Sequence, residues 1–310
     1  MNIKLTIHLM PWEIDNALLT FTQLKKSYYY IPKDANVTIE TVLNLSTKFI
    51  DWDKSVLPKD FFISKYNDIS ILLKDYNHIK RIYDGDEIYG FLNLQRECIS
   101  EETDYYIGVC PDMYFDEQLL AFLIESTRLV KNEYFVITAQ TYKRWDSSWD
   151  ETTNAKFINI PYNEWDNFDL FKTRHILKNT SEEILLIPVT KNKWAWWFDL
   201  YNKKFYENLC PVQNDWKGYG PWDWYSMMLS GYAKLVGVDF QQYMLKGQTL
   251  LDYNSGYLKD MTFMSYYKKY LTLLPEHTSP IQRENFYNNM NEYINKGIQQ
   301  LKDKNIICTT

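Results

Sequence analysis

The sequence predicts an α/β fold: a mixed, largely parallel sheet flanked by helices, within one compact unit. Three observations predict it. Strand-like and helix-like hydrophobic periods alternate through the first half of the chain, the pattern of βαβ units. An apolar run at residues 105–109 ends in acidic residues and gives way to a helical pattern, as happens where a strand crosses the carboxyl edge of such a sheet. No Gly/Ser linker, low-complexity tract or internal repeat divides the 310 residues, a length that suits one large domain or two small ones.

The elements follow in order. Residues 3–10 read as a first strand, stopped by Pro11, and residues 13–26 as a helix. Residues 37–45 alternate again and predict a second strand; residues 61–73 fit either period. Residues 86–98 predict a helix opened by Gly85-Asp86. Residues 105–109 predict a short buried strand, residues 116–130 a helix and residues 134–139 another strand. Beyond residue 140 the chain holds most of its tryptophans and several prolines. There, residues 156–160 and 184–189 predict strands, and residues 222–236 and 282–302 predict helices.

Composition narrows the function. Hydrophobic residues make up 45% of the chain, enough for a sizeable core. The net charge of −6 gives no basic face for nucleic acid, so a nucleic-acid partner is disfavoured. Aromatics reach 17%, with 11 Trp and 26 Tyr. Flat rings suit sugar-binding clefts as well as cores. Cys98, Cys110, Cys210 and Cys308 form no CxxC pair and no zinc-like cluster with His, which fits reduced thiols in the cytosol. The N-terminus is too short in apolar residues for a signal peptide, and no run of 18 apolar residues offers a membrane span. A cytoplasmic location is therefore expected. Walker A, GxGxxG, HExxH and GxSxG motifs are absent.

Five segments carry candidate chemistry. Asp104-Tyr-Tyr-Ile-Gly-Val-Cys-Pro-Asp112 ends a strand in a carboxylate, suited to a metal or a sugar hydroxyl, although an aspartate after a proline also serves as a turn or cap. Asp116 caps the helix that follows. Gly218-Tyr-Gly-Pro-Trp222-Asp223 delivers an acid to the first turn of a helix, where the dipole keeps it ionised and fit to act as a base. Arg144, Trp145, Asp146 and Trp149 follow a strand directly and suit an acceptor-binding loop, or a loop pinned by buried indoles. Asn93 and Arg96 stand at i and i+3 on one helix face, and Arg96 suits a phosphate or solvent. His277 lies in a late loop, Leu-Pro-Glu-His-Thr-Ser-Pro.

The strand-end acid and the Gly-rich turn before Asp223 resemble the motifs of GT-A glycosyltransferases over roughly residues 1–250. The family's Asp-x-Asp is here Cys110-Pro-Asp112, and Trp222 stands where an acidic neighbour is usual. The resemblance implies transfer of a hexosyl-type sugar from a nucleotide donor, a UDP-sugar foremost, to a carbohydrate or other hydroxyl acceptor. It implies a nucleotide-sugar half at 1–140 and an acceptor half with C-terminal helices at 141–310. Asp112, with His277, would hold a divalent metal, Mn2+ or Mg2+. Asp223 would be the base. Trp12, at the end of the first strand, would stack on the nucleotide base, with Asn93 and Arg96 on the donor. Arg144, Trp145, Asp146, Trp149 and Trp222 would meet the acceptor. The readings set against it are a carbohydrate-binding protein with a degenerate site and a DNA-base-modifying transferase, which needs to hold only one flipped base.

Overall fold

Strand β1 (Asn2–Leu9) alternates cleanly. Ile3, Leu5, Ile7 and Leu9 are buried on one face, and Lys4, Thr6 and His8 point to the other. Helix α1 (Ile14–Ser27) closes over the first face with Ile14, Ala17, Phe21 and Leu24, all fully buried. The computed structural model describes residues 1–87, 89–143, 183–189, 198–209, 222–252, 270–274 and 279–308. Strands β2 (Asn36–Asn44), β4 (Asn77–Tyr83) and β5 (Tyr105–Val109) join β1 in parallel. A two-residue strand, β3 (Ile50–Asp51), pairs with β11 (Thr272–Leu273) in a separate ribbon.

Past β5 the sheet becomes mixed. Its order is β4-β2-β1-β5-β9-β7-β10-β6, with β8 also on β10. Here β6 is Met113–Phe115, β7 Tyr134–Lys143, β8 Leu186–Pro188, β9 Phe198–Asn202 and β10 Phe240–Asp252. Strands β6, β8 and β9 run against the other six. Strand β10 carries a bulge against β7 between Leu245 and Thr249, at Gly247 with φ +76°, and its short partners β8 and β6 pair before and after that stretch.

Helices cover both faces. Helices α1, α2 (Lys59–Ser70) and α4 (Leu119–Ser126) pack the face of Ile3, Leu5 and Ile7 into one large core. Helices α5 (Trp222–Leu235) and α6 (Ser279–Asp303) build a second core on the other face around Tyr106, Tyr201 and Phe205. Helix α3 (Phe91–Glu97) lies on that same face over β2, with Leu94 and Cys98 against Val42. Strands from both halves of the chain thus interleave in one sheet.

Two predicted elements are shorter than the sequence suggests. The helix expected over 86–98 begins only at Phe91, because the carbonyls of Gly85, Glu87 and Tyr89 are drawn into hydrogen bonds with Thr47, Ser46 and Asn44 at the carboxyl end of β2. The helix expected from 116 starts at Leu119, since Met113–Phe115 pair with β10, and Asp116 Oδ1 accepts the Gln118 N–H at 3.0 Å. The ambiguous 61–73 stretch is helix α2 followed by a 3-10 turn. The strand expected at 156–160 lies outside the described residues.

Candidate functional site

The chain moves outward from β1 to β2 to β4, then returns to the opposite side of β1 as β5. That reversal makes the carboxyl ends of β1 and β5 the topological switch point, the position where open α/β sheets bind ligands. What the sequence places at the two strand ends therefore decides the chemistry available.

After β1 comes one 3-10 turn, Pro11–Glu13, with Pro11 at its start, where a missing N–H costs nothing. Glu13 is half-buried, and its Oε2 accepts the Met10 N–H at 2.6 Å. After β5 come Cys110 and Asp112, both half-buried, on either side of the buried Pro111. Strands β1 and β5 pair in parallel as far as Thr6 beside Gly108, and the Pro11–Glu13 turn and Asp112 follow just past the two strand ends. Burial pushes both carboxyls well above the ordinary carboxylate range, and the Asp112 charge raises Glu13 further. Among the described residues, no lysine or arginine pairs with either. Glu13 was not singled out from the sequence; an acid three residues after a strand end, behind a proline, is the signal that marks it.

Helix α1 holds the Asp112 turn in place. Thr20 Oγ1 lies 2.6 Å from Pro111 O and 2.9 Å from Met113 O, and accepts the Met113 N–H at 3.0 Å. Gln23 Nε2 donates to Phe115 O at 2.5 Å. Both side chains are buried on the inner side of α1, which also buries Asn16 and Ser27.

The β2 side of this edge is tied by His8, Asn44 and Tyr89. Asn44 Oδ1 accepts the Ser46 N–H at 3.0 Å, so its Nδ2 faces Tyr89 O at 2.5 Å and His8 Nε2 at 3.1 Å. This network makes His8 Nε2 an acceptor and assigns the proton to Nδ1. Burial drives the His8 pKa down to about 3, so the ring is neutral. Tyr83 and Tyr89 stack at 4.2 Å, and Ser46 Oγ donates to Glu87 O at 2.7 Å.

The structure brings Trp12 and Asp112 to one sheet edge. Trp12 is 7% exposed and packs into the main core; its Nε1–H is buried without an acceptor among the described residues. It therefore has little ring face free to stack on a base. Asn93 caps α3, its Oδ1 accepting the Gly90 N–H at 2.9 Å, and Arg96 is half-buried on the same helix. Trp222 and Asp223 open α5, with side chains outside the described set. Arg144, Trp145, Asp146, Trp149 and His277 lie outside the described residues. Among the described residues, no group of three or more His, Cys, Asp or Glu stands ready for a metal. At this edge Asp112 offers carboxylate oxygens, the donor type that suits Mg2+ or Mn2+, and Cys110 a thiol. Among the described residues, no helix is long and apolar enough to cross a membrane.

No family model matches the chain, and no curated protein matches it either. Several solved structures are similar to it. Residues 1–349 of S. aureus TarS are 9% identical, with 98% of this chain and 72% of that one covered and a TM-score of 0.44. The mannosyltransferase PcManGT from Pyrobaculum calidifontis, solved with GDP-Man and Mn2+, is 10% identical, with coverage of 99% and 76% and a TM-score of 0.44. GalNAc-T7, solved with UDP, GalNAc and Mn2+, is 8% identical, with coverage of 81% and 43% and a TM-score of 0.43.

Proposed function

We propose that this protein is a glycosyltransferase of GT-A type that moves a hexosyl group from a UDP-sugar to a hydroxyl acceptor with the help of a divalent cation. The observation that carries the reading is the carboxylate Asp112 at the β1/β5 switch point, the edge where doubly wound sheets take nucleotides.

Each residue then has a task. Asp112 holds the cation, with His277 as a further ligand. The cation, when bound, neutralises negative charge developing on the departing diphosphate. Thr20 keeps the Asp112 turn rigid through its bonds to Pro111 and Met113. Trp12 lines the donor pocket, offering its indole N–H edge to an acceptor oxygen. Asn93 shapes the start of α3, which presents Arg96 to the donor. Asp223, in the first turn of α5, is favoured as an anion by the helix dipole and takes the proton of the acceptor hydroxyl. Arg144, Trp145, Asp146, Trp149 and Trp222 line the acceptor side.

The test is a thermal-shift panel of UDP- and GDP-sugars with and without Mn2+, since a ligand that binds only the folded state raises its melting temperature. A Mn2+-dependent shift with one nucleotide sugar, followed by release of UDP when an acceptor is added, is expected. A protein that responds to free sugars and to no nucleotide sugar is a carbohydrate-binding protein instead.

A further inference from the structure

We propose that a groove at the sheet edge opposite Asp112 is a second ligand site, and that it takes a neutral saccharide. This goes beyond the reading of the Asp112 edge and stands without it. The groove encloses about 560 Å³, within the size range of small-molecule sites. It lies where β5 and β7 begin and β9 ends. Asp104 precedes β5 at this edge and Asp112 follows it at the other. The strand residues between them, Tyr105–Val109, span about 17 Å, so the two places are distinct.

Tyr105 and Phe135 supply the apolar lining, their ring centres 6.2 Å apart. Tyr105 is half-buried, and its hydroxyl makes no hydrogen bond among the described residues. The walls are fixed without a ligand. Asn202 Oδ1 accepts the N–H groups of Phe135 and Phe205, both at 3.1 Å, and its Nδ2 donates to Glu133 O at 2.8 Å. Lys203 N–H donates to Asp104 O at 3.0 Å, and Lys203 Nζ to Ser100 O at 3.1 Å and Glu101 O at 2.6 Å. A preformed site binds with little ordering cost. The rim sets the carboxylates of Asp104 and Glu133 against the ammonium groups of Lys203 and Lys204, a balance that favours neither an anion nor a cation. Asp104 Oδ2 accepts the Asn2 N–H at 2.7 Å and Glu133 Oε1 accepts from Lys204 at 2.9 Å. Asp104 Oδ1 and Glu133 Oε2 are left to accept from a ligand. A purely apolar ligand would strip water from these oxygens and return no hydrogen bond. The matching ligand has an apolar face for the rings, hydroxyl groups for the rim and no net charge, and a pyranose combines the three.

The test is saturation-transfer NMR on the full chain with glucose, N-acetylglucosamine, maltotetraose and chitotetraose, followed by titration of each saccharide that responds. Wild type is expected to bind at least one of them, with the same affinity when UDP and Mn2+ are in excess. Tyr105→Ala is expected to weaken that binding by about tenfold, the scale of one lost ring contact. Glu133 is exposed, and among the described residues its side chain bonds only to Lys204, so Glu133→Ala keeps the fold. It is expected to weaken binding by about threefold or more, the scale of one lost hydrogen bond. Full affinity in Glu133→Ala overturns the proposal, whether or not Tyr105→Ala folds. Binding of none of the saccharides to the folded wild type overturns it as well. A saccharide displaced by UDP with Mn2+ also overturns it, because that saccharide sits at the Asp112 edge, and the reading given for that edge is left intact.

Discussion

The Thr20 hydroxyl, two turns into α1, reaches across to both sides of Asp112 and bonds Pro111 and Met113. Thr20→Val keeps the shape and deletes the hydroxyl. It strands a buried N–H and a buried carbonyl, at a cost of about 1–3 kcal/mol. Chemical denaturation should show that loss, and the Met113 amide should exchange its hydrogen faster. An unchanged exchange rate would mean that the turn holds itself. His8 makes a second residue-level prediction. It stays neutral in the fold down to about pH 3, while an unfolded chain takes up a proton below about pH 6.5. Stability present above pH 6.5 is therefore lost as pH falls, by up to about 1.4 kcal/mol per pH unit. His8→Gln removes this proton uptake and should flatten the melting-temperature profile between pH 4 and 6. Sequence made Asp112 legible, because an acid after an apolar run stands out. It hid Glu13, His8 and Thr20, whose roles depend on a strand register and a helix face that bring distant residues together.

Elements were legible where their period was strong. Strand β1 alternates and α1 repeats on a 3.6-residue period, so both were read within a residue or two of their observed bounds. Strand β4 was missed because it lies at the sheet edge with Ile79 and Ile82 exposed, which blurs the two-residue period. Strand β10 was missed because the bulge at Gly247 interrupts its pattern and fully buried Gln242 and Gln248 read as surface residues. Helix ends carry a prediction at this scale. Helix α5 stops at Gly237, with φ +97°, where Gly237 N–H bonds to Lys234 O at 3.2 Å and Val238 N–H to Ala233 O at 3.0 Å. A Cβ there meets no atom within 4 Å, so the cost of Gly237→Ala is backbone strain alone. It should destabilise by about 1–2 kcal/mol, and Gly237→Asn by less, because Asn tolerates left-handed backbone. Equal melting temperatures for Ala and Gly would show that the helix end relaxes elsewhere.

At the scale of the molecule, the sheet reversal between β1 and β5 links stability to the proposed ligands. Glu13 and Asp112 have raised folded-state pKa values, so the fold binds more protons than the unfolded chain once pH exceeds the ordinary carboxylate range. Their contribution to stability is lost as pH rises through those raised values. His8 acts in the opposite sense on the acid side. The metal-free protein should thus lose stability toward both limits, and Mn2+ should raise its melting temperature more at pH 7.5 than at pH 5.5, because protons compete for the same oxygens. An equal shift at both values would place the ion away from Asp112. The catalytic half of the proposal depends on Asp223. A base acts only on the acceptor, so Asp223→Asn should spare Mn2+ and UDP-sugar binding to within a few-fold. Transfer should slow by about 10²–10⁴-fold, the usual contribution of a positioned general base. Asn keeps the side-chain volume and still suits a helix start, so the melting temperature should barely move. Transfer at the wild-type rate would move the base elsewhere, with Asp146 and Asp150 the next residues to test.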